Sequence, residues 1–139
     1  MDLEQIFHRF NPWWTEPFFA PGIVRERYLQ ELLEEADIKQ ITLVMGLRRV
    51  GKTTILKQVI ARLLLTIKPQ RIFFLSLDHS SLASFSLLEL VEKYRELHGL
   101  TVKEKIYLFF DEVQYHEQFE QDLKVLYDHE QVKIFASGS

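Results

Sequence analysis

Eight consecutive residues, Gly46-Leu47-Arg48-Arg49-Val50-Gly51-Lys52-Thr53, carry the spacing G-x-x-x-x-G-K-[ST] without deviation. This is the spacing of a phosphate-cradling P-loop. Gly46 permits a sharp turn after a strand. Gly51 lets backbone N–H groups approach phosphate oxygens with no side chain in the way. Lys52 brings a positive charge within reach of β- and γ-phosphates, and the Thr53 hydroxyl suits one coordination position of the Mg²⁺ that accompanies a nucleotide. A helix starting near Gly51 would aim its partial positive charge at the same point. The nucleotide-binding segment is therefore read as Gly46, Leu47, Arg48, Arg49, Val50, Gly51, Lys52, Thr53 and Thr54. Arg48 and Arg49 could contact phosphates or a neighbouring subunit, or stand as solvated loop charges.

A second constellation lies downstream. Phe109-Phe110-Asp111-Glu112 closes an apolar run. Ligands of open parallel sheets sit at the carboxyl edge of the strands, so an acidic residue delivered there faces the phosphates. Asp111 is the candidate Mg²⁺ ligand, acting through a coordinated water. Glu112, beside it, is placed to take a proton from a water attacking the γ-phosphate, and Glu112 and Lys52 are the candidate catalytic residues. Ser76 could hydrogen-bond Glu112 and hold it back, or be an ordinary polar strand end.

These residues need a scaffold, and the flanking patterns supply one. Ile41-Thr42-Leu43-Val44-Met45 reads as a buried parallel strand before the loop. The loop is followed by a helical stripe of Ile55, Leu56, Val59, Ile60, Leu63 and Leu64. Further strands are expected over 71–76, 106–110 and 132–136, and further helices over 23–35, 84–97 and 117–128. Ser84 or Ser86 would cap the second of these helices and Gly99 would end it. Alternation of strand and helix predicts an α/β fold, a parallel sheet with helices on both faces in three layers. Residues 1–21 differ. Three of the four prolines and both tryptophans fall between Phe10 and Pro21, so this arm is expected to run extended and to bury its aromatics on the core formed by 22–139, or to dock a partner.

Composition narrows the function class. The chain has 139 residues, 47% of them hydrophobic, with net charge −3 and no cysteine. One core is affordable and disorder is not indicated. Nothing pulls the chain as a whole toward nucleic acid or anionic membrane, and nothing supports a disulfide or a thiolate metal site. Histidines 8, 79, 98, 116 and 129 lack metal-ligand spacing. No secretory signal is legible at the start, so a cytoplasmic location is the expectation. The sequence stops at Ser137-Gly138-Ser139, directly after a strand, and is read as an incomplete nucleotide-binding core.

Taken together, Gly46–Thr54, Phe110-Asp111-Glu112-Val113-Gln114, Ser137-Gly138-Ser139 and Asn11-Pro12-Trp13-Trp14 resemble prokaryotic AAA-type ATPases. They look most like the bacterial and archaeal group in which this core precedes a C-terminal domain of unknown function. The resemblance implies a P-loop sheet of the additional-strand type, with the fourth strand inserted between the P-loop strand and the Asp111 strand. It implies a polar sensor at that strand's end, Ser137 or Ser139, and part of an adenine pocket in Ile23-Val24-Arg25-Glu26-Arg27. It also implies a fifth strand, a lid, an arginine finger and homo-oligomer contacts, none identifiable in this chain. ATP is favoured over GTP because no [NT]-K-x-D sequence occurs. The expected activity is Mg²⁺-dependent hydrolysis of ATP to ADP. A nucleotide-gated switch or scaffold with slow turnover is the alternative. A small-molecule kinase fits less well, since an activated water beside the γ-phosphate would waste ATP.

Overall fold

Four runs rich in β-branched and aromatic residues form one sheet in the computed structural model, which describes residues 1–45 and 51–138. The strands are β1 (Ile41–Met45), β2 (Ile72–Ser76), β3 (Ile106–Asp111) and β4 (Val132–Gly138). All neighbours are parallel, in the order β1-β4-β3-β2. The last strand thus lies between the P-loop strand and the acidic strand, as the resemblance implied. β3 and β4 are buried at every position, the mark of strands covered on both faces.

The helices are α1 (Leu3–Phe10), α2 (Glu26–Glu35), α3 (Lys52–Leu63), α4 (Leu87–His98) and α5 (Phe119–His129). The steps β2-α4-β3 and β3-α5-β4 cross the sheet in one direction and β1-α3-β2 crosses in the other. Right-handed crossovers therefore put α4 and α5 on one face and α3 on the opposite one. The apolar stripe of α3 is buried as its spacing requires, with Leu56, Val59 and Ile60 wholly inside. Ser86, not Ser84, caps α4, in a reciprocal capping box with Glu89. Gly99 ends α4 in the left-handed conformation, at φ 65°. α2 starts at Glu26 instead of residue 23: Gly22 bends in the left-handed region at φ +83° and residues 23–25 form no regular element.

The N-terminal segment departs most from expectation. Residues 3–10 are helical, and Asp2 and Gln5 close a capping box at the start. Pro12–Trp14 is a 3-10 turn and not an extended path. Pro at the first position of that turn loses no hydrogen bond and presets φ. Trp13 and Trp14 are buried, and the indole N–H of each donates to the Ile72 carbonyl, at 3.1 and 2.9 Å. Asn11, fully buried, pairs with the backbone of Phe74. Its Oδ1 accepts from the Phe74 N–H at 2.7 Å, and its Nδ2 donates to the Phe74 carbonyl at 2.9 Å and the Phe7 carbonyl at 2.8 Å. Side chains thereby satisfy the outer edge of β2, where unpaired backbone groups would invite another strand. Trp14 then stacks on Tyr94 and Phe73. Of the five aromatics from Phe10 to Phe19, Phe19 is the exception, 87% exposed.

Replacing Asn11 by Ala should cost roughly 2–6 kcal/mol, because the N–H and the carbonyl of Phe74 lose their partners at about 1–3 kcal/mol each, before any loss at the Phe7 carbonyl. Urea denaturation would measure it, and a loss below about 1 kcal/mol would refute the edge-capping account.

The same cluster carries a titratable group. His98 packs edge-on to Trp14 at 4.3 Å and to Tyr94 at 5.4 Å, and its Nε2 is buried with no partner among the described residues. Burial first, and His8 second, lower its pKa below the ordinary 6.5. Above that value the ring is neutral in folded and unfolded chains alike. As pH falls below it, the unfolded chain takes up a proton that the folded chain resists, so stability declines. The wild-type urea midpoint should therefore drop between about pH 7.5 and 5.5, and His98→Phe should drop less. Equal drops would remove His98 from the account.

Candidate nucleotide site

Gly51 caps α3 at φ 74° and ψ 37°, a left-handed conformation that glycine adopts without penalty. This turn aims the first N–H groups of α3 outward beyond the carboxyl edge of the sheet, the arrangement that binds anions. Lys52, Thr53 and Thr54 follow in the first helical turn. Gly46, Leu47, Arg48, Arg49, Val50 and the sensor candidate Ser139 lie outside the described residues.

The strand ends converge on this turn. Asp111, 2% exposed, is the last residue of β3. The Thr53 hydroxyl donates to Asp111 Oδ2, and the Ser137 hydroxyl donates to Asp111 Oδ1. Lys52, 4% exposed, donates from Nζ to the Gly138 carbonyl at 2.5 Å. Residues 52, 53, 111, 137 and 138, drawn from three elements, therefore form one connected polar cluster. The register of β4 makes this possible, since Val44 stands opposite Ser137 and Met45 opposite Gly138.

Glu112 sits just past β3 with φ 57° and ψ 49°, the only non-glycine residue at positive φ among those described. A left-handed non-glycine backbone costs of order 1 kcal/mol and is held by its surroundings. Here the Glu112 N–H donates to Ser137 Oγ at 3.4 Å, and its carboxylate accepts from Gln114 Nε2 at 2.6 Å. Ser76 does not reach Glu112. Its hydroxyl donates to Asp78 Oδ1 at 2.7 Å, a carboxylate two residues away that competes more effectively than one across a strand pair. Gln114 also crowds β4, since a Cβ on Gly138 would lie 3.1 Å from Gln114 Oε1.

A cavity of about 380 Å³ opens beside Gly51, lined by Gly22, Ile23, Arg25, Tyr28, Gly51, Thr54, Ile55 and Gln58. It joins the start of α3 to the irregular segment before α2. Gly22 is required at its rim. Its φ is +83°, and a Cβ there would lie 2.7 Å from Thr54 Cγ2.

Sequence reasoning gave no individual role to four residues. Gln58 interrupts the buried stripe of α3, and Lys133 interrupts the apolar run of β4. A polar side chain breaking a buried pattern was the available signal for both. Lys133, 1% exposed, donates to the carbonyls of Ile38 and Gln40 and to Thr42 Oγ1, at 3.1, 2.8 and 2.8 Å, and burial holds its pKa below the ordinary value. It thus fastens the approach to β1 onto β4. Gln114 and Gly22 left no such signal. Among the described residues, no helix is long and apolar enough to cross a membrane.

The chain is similar to several known proteins. The chain is 39% identical over 135 residues to an uncharacterised protein of Methanocaldococcus jannaschii, covering 96% of this chain and 28% of that protein. It resembles the solved Walker-type ATPase PABY2304 of Pyrococcus abyssi with TM-score 0.55 at 17% identity, over 91% of this chain and 49% of the other. It resembles a DNA replication initiation factor with TM-score 0.55 at 18% identity, over 94% and 43%. PCH-2 of C. elegans matches with TM-score 0.52 at 13% identity, over 94% and 41%. At these identities the structural likenesses establish the fold, which is that of P-loop ATPases. The family model described as an AAA domain matches residues 38–139, and with that match the chain belongs to the AAA domain family of P-loop nucleotide-binding proteins.

Proposed function

We propose that this chain binds ATP with Mg²⁺ and hydrolyses it to ADP and phosphate. The observation that carries the reading is the meeting of Thr53 with Asp111, 58 residues apart, at the N-terminus of α3. A hydroxyl and a carboxylate side by side make an all-oxygen donor pair suited to Mg²⁺. When bound there, Mg²⁺ supplies neutralisation of phosphate charge. Lys52 would exchange the Gly138 carbonyl for β- and γ-phosphate oxygens, and the first N–H groups of α3 would bind the same phosphates. The nucleoside would lie in the cavity between residues 22–28 and α3.

In the reaction, Glu112 accepts a proton from a water as its oxygen attacks the γ-phosphorus. The bond from γ-phosphorus to the β–γ bridging oxygen breaks, and its electrons leave with ADP. Ser137, hydrogen-bonded to Asp111 and reached by the Glu112 N–H, would hold the two carboxylates in fixed relation and serve as the sensor of the phosphate. Positioning and charge stabilisation supply most of the rate in such reactions. The switch reading is favoured by one contact, Gln114 on the Glu112 carboxylate, which must release before the base can act. The turnover number separates the two readings.

Lys52→Ala should lose Mg-ATP binding, since it removes a buried cation from the phosphate site. Titration with a fluorescent ATP analogue reads this, and unchanged affinity would sink the phosphate assignment. Glu112→Gln keeps size and position but cannot take the proton. It should bind ATP normally and hydrolyse it about 10²–10⁴-fold more slowly. A rate equal to wild type in a phosphate-release assay would place the base elsewhere.

A further inference from the structure

Gln58 lies two turns into α3, far from the phosphate-binding end, yet it is 97% buried, since only 3% of it is exposed. Its amide Nε2 donates to the Pro21 carbonyl at 3.0 Å and to the Ile23 carbonyl at 3.3 Å. These two carbonyls flank Gly22, the residue whose left-handed backbone presses against Thr54. One side chain of α3 thus holds both sides of the turn that walls the cavity beside Gly51. A second tie, Arg62 Nη2 to Glu26 Oε1 at 2.5 Å, fixes the start of α2 to α3 farther along. Without the amide, no hydrogen bond among the described residues would hold the two carbonyls on α3, and residues 21–25, exposed throughout, could turn them to water. The segment would then lift away and the cavity would open.

We propose that Gln58 is a positioning residue for the nucleoside half of the ligand: it seats residues 21–23 on α3 and so shapes the wall that the base and ribose meet. The inference rests on the phosphate assignment above. A cavity of this volume lies within the range of small-molecule sites. Its lining, one tyrosine and two isoleucines among backbone groups and a few polar side chains, suits a planar heterocycle. The residues assigned to phosphate and Mg²⁺ at this end, Gly51, Lys52 and Thr53, lie five to seven positions before Gln58, at the start of α3.

The separation gives a direct test. Gln58→Met keeps volume and apolar burial but removes the donor. Wild type and variant are titrated by calorimetry with Mg-ATP and with magnesium tripolyphosphate, which has the phosphates without the nucleoside. Gln58→Met should weaken ATP roughly tenfold and leave tripolyphosphate within about twofold. Equal losses for both ligands, or no loss for ATP, would overturn the proposal. Wild type binding neither ligand would instead overturn the phosphate assignment. Amide hydrogen exchange on wild type provides a reading independent of whether the variant folds. ATP should slow exchange at residues 22–28 and tripolyphosphate should not, and identical protection by the two would overturn the proposal.

Discussion

The pairing of β4 with both β1 and β3 is the constraint on which the site depends. A parallel strand fixes the height of every residue against its two neighbours. Ile134 stands opposite Ile41 on one side and Leu108 on the other. From that register, Ser137 and Gly138 must emerge at the carboxyl edge beside Asp111 and Lys52. A slip of one residue would turn each side chain of β4 to the opposite face, taking the Ser137 hydroxyl away from Asp111. Lys133 enforces the same register from the other end, because its three hydrogen bonds to residues 38–42 are made at one alignment only. The stacked rings of Phe109 and Phe135, 4.8 Å apart on neighbouring strands, lock it midway. The polar cluster at one edge is thus positioned by packing along the whole strand.

The parts of this molecule written locally were legible. Val44, Gly51, Lys52 and the stripe of α3 announce strand, turn and helix within about twenty residues, because each signal depends on near neighbours. Asp111 was legible for the same reason, an acid at the end of an apolar run. The capping box of α1 was equally local, with Asp2 and Gln5 three residues apart, but the proline-rich segment that follows drew the reading toward an extended arm. The position of β4 came from family resemblance, since no periodicity encodes a strand's partner. Asn11 could not be read at all. Its role exists only against Phe74, 63 residues away. The hydrogen bond from Ser76 to Asp78 shows a smaller limit, a choice between two carboxylates that only rotamers decide.

The two edges of the sheet are treated differently. β2 is sealed by side chains of the N-terminal segment, whose Trp13 and Trp14 both converge on one carbonyl, that of Ile72. Pro12 assists by setting the turn that carries both indoles. β1, at the other edge, keeps Leu43 and Met45 each 54% exposed. The N-terminal segment is therefore part of the core as much as any helix is, sharing its apolar interior through Ile6, Phe7, Trp13 and Trp14. Its energetic role is to satisfy backbone groups and bury rings at one stroke, which pure apolar packing against a strand edge would not do.

The central position of β4 also orders the events of folding. A chain emerging from the ribosome delivers β1, β2 and β3 before β4. β2 and β3 can pair early, and the N-terminal residues can dock on β2 as soon as residue 74 is out. β1 cannot join, because its partner along the sheet is made some ninety residues later. Until then Leu43, Val44 and the first turn of α3 wait without a neighbour. Contacts of such long sequence separation slow folding and leave hydrophobic strands uncovered during synthesis. The candidate site thus gathers Lys52, Thr53 and Asp111 around Ser137 and Gly138 only after β4, delivered later than all three, has entered between β1 and β3.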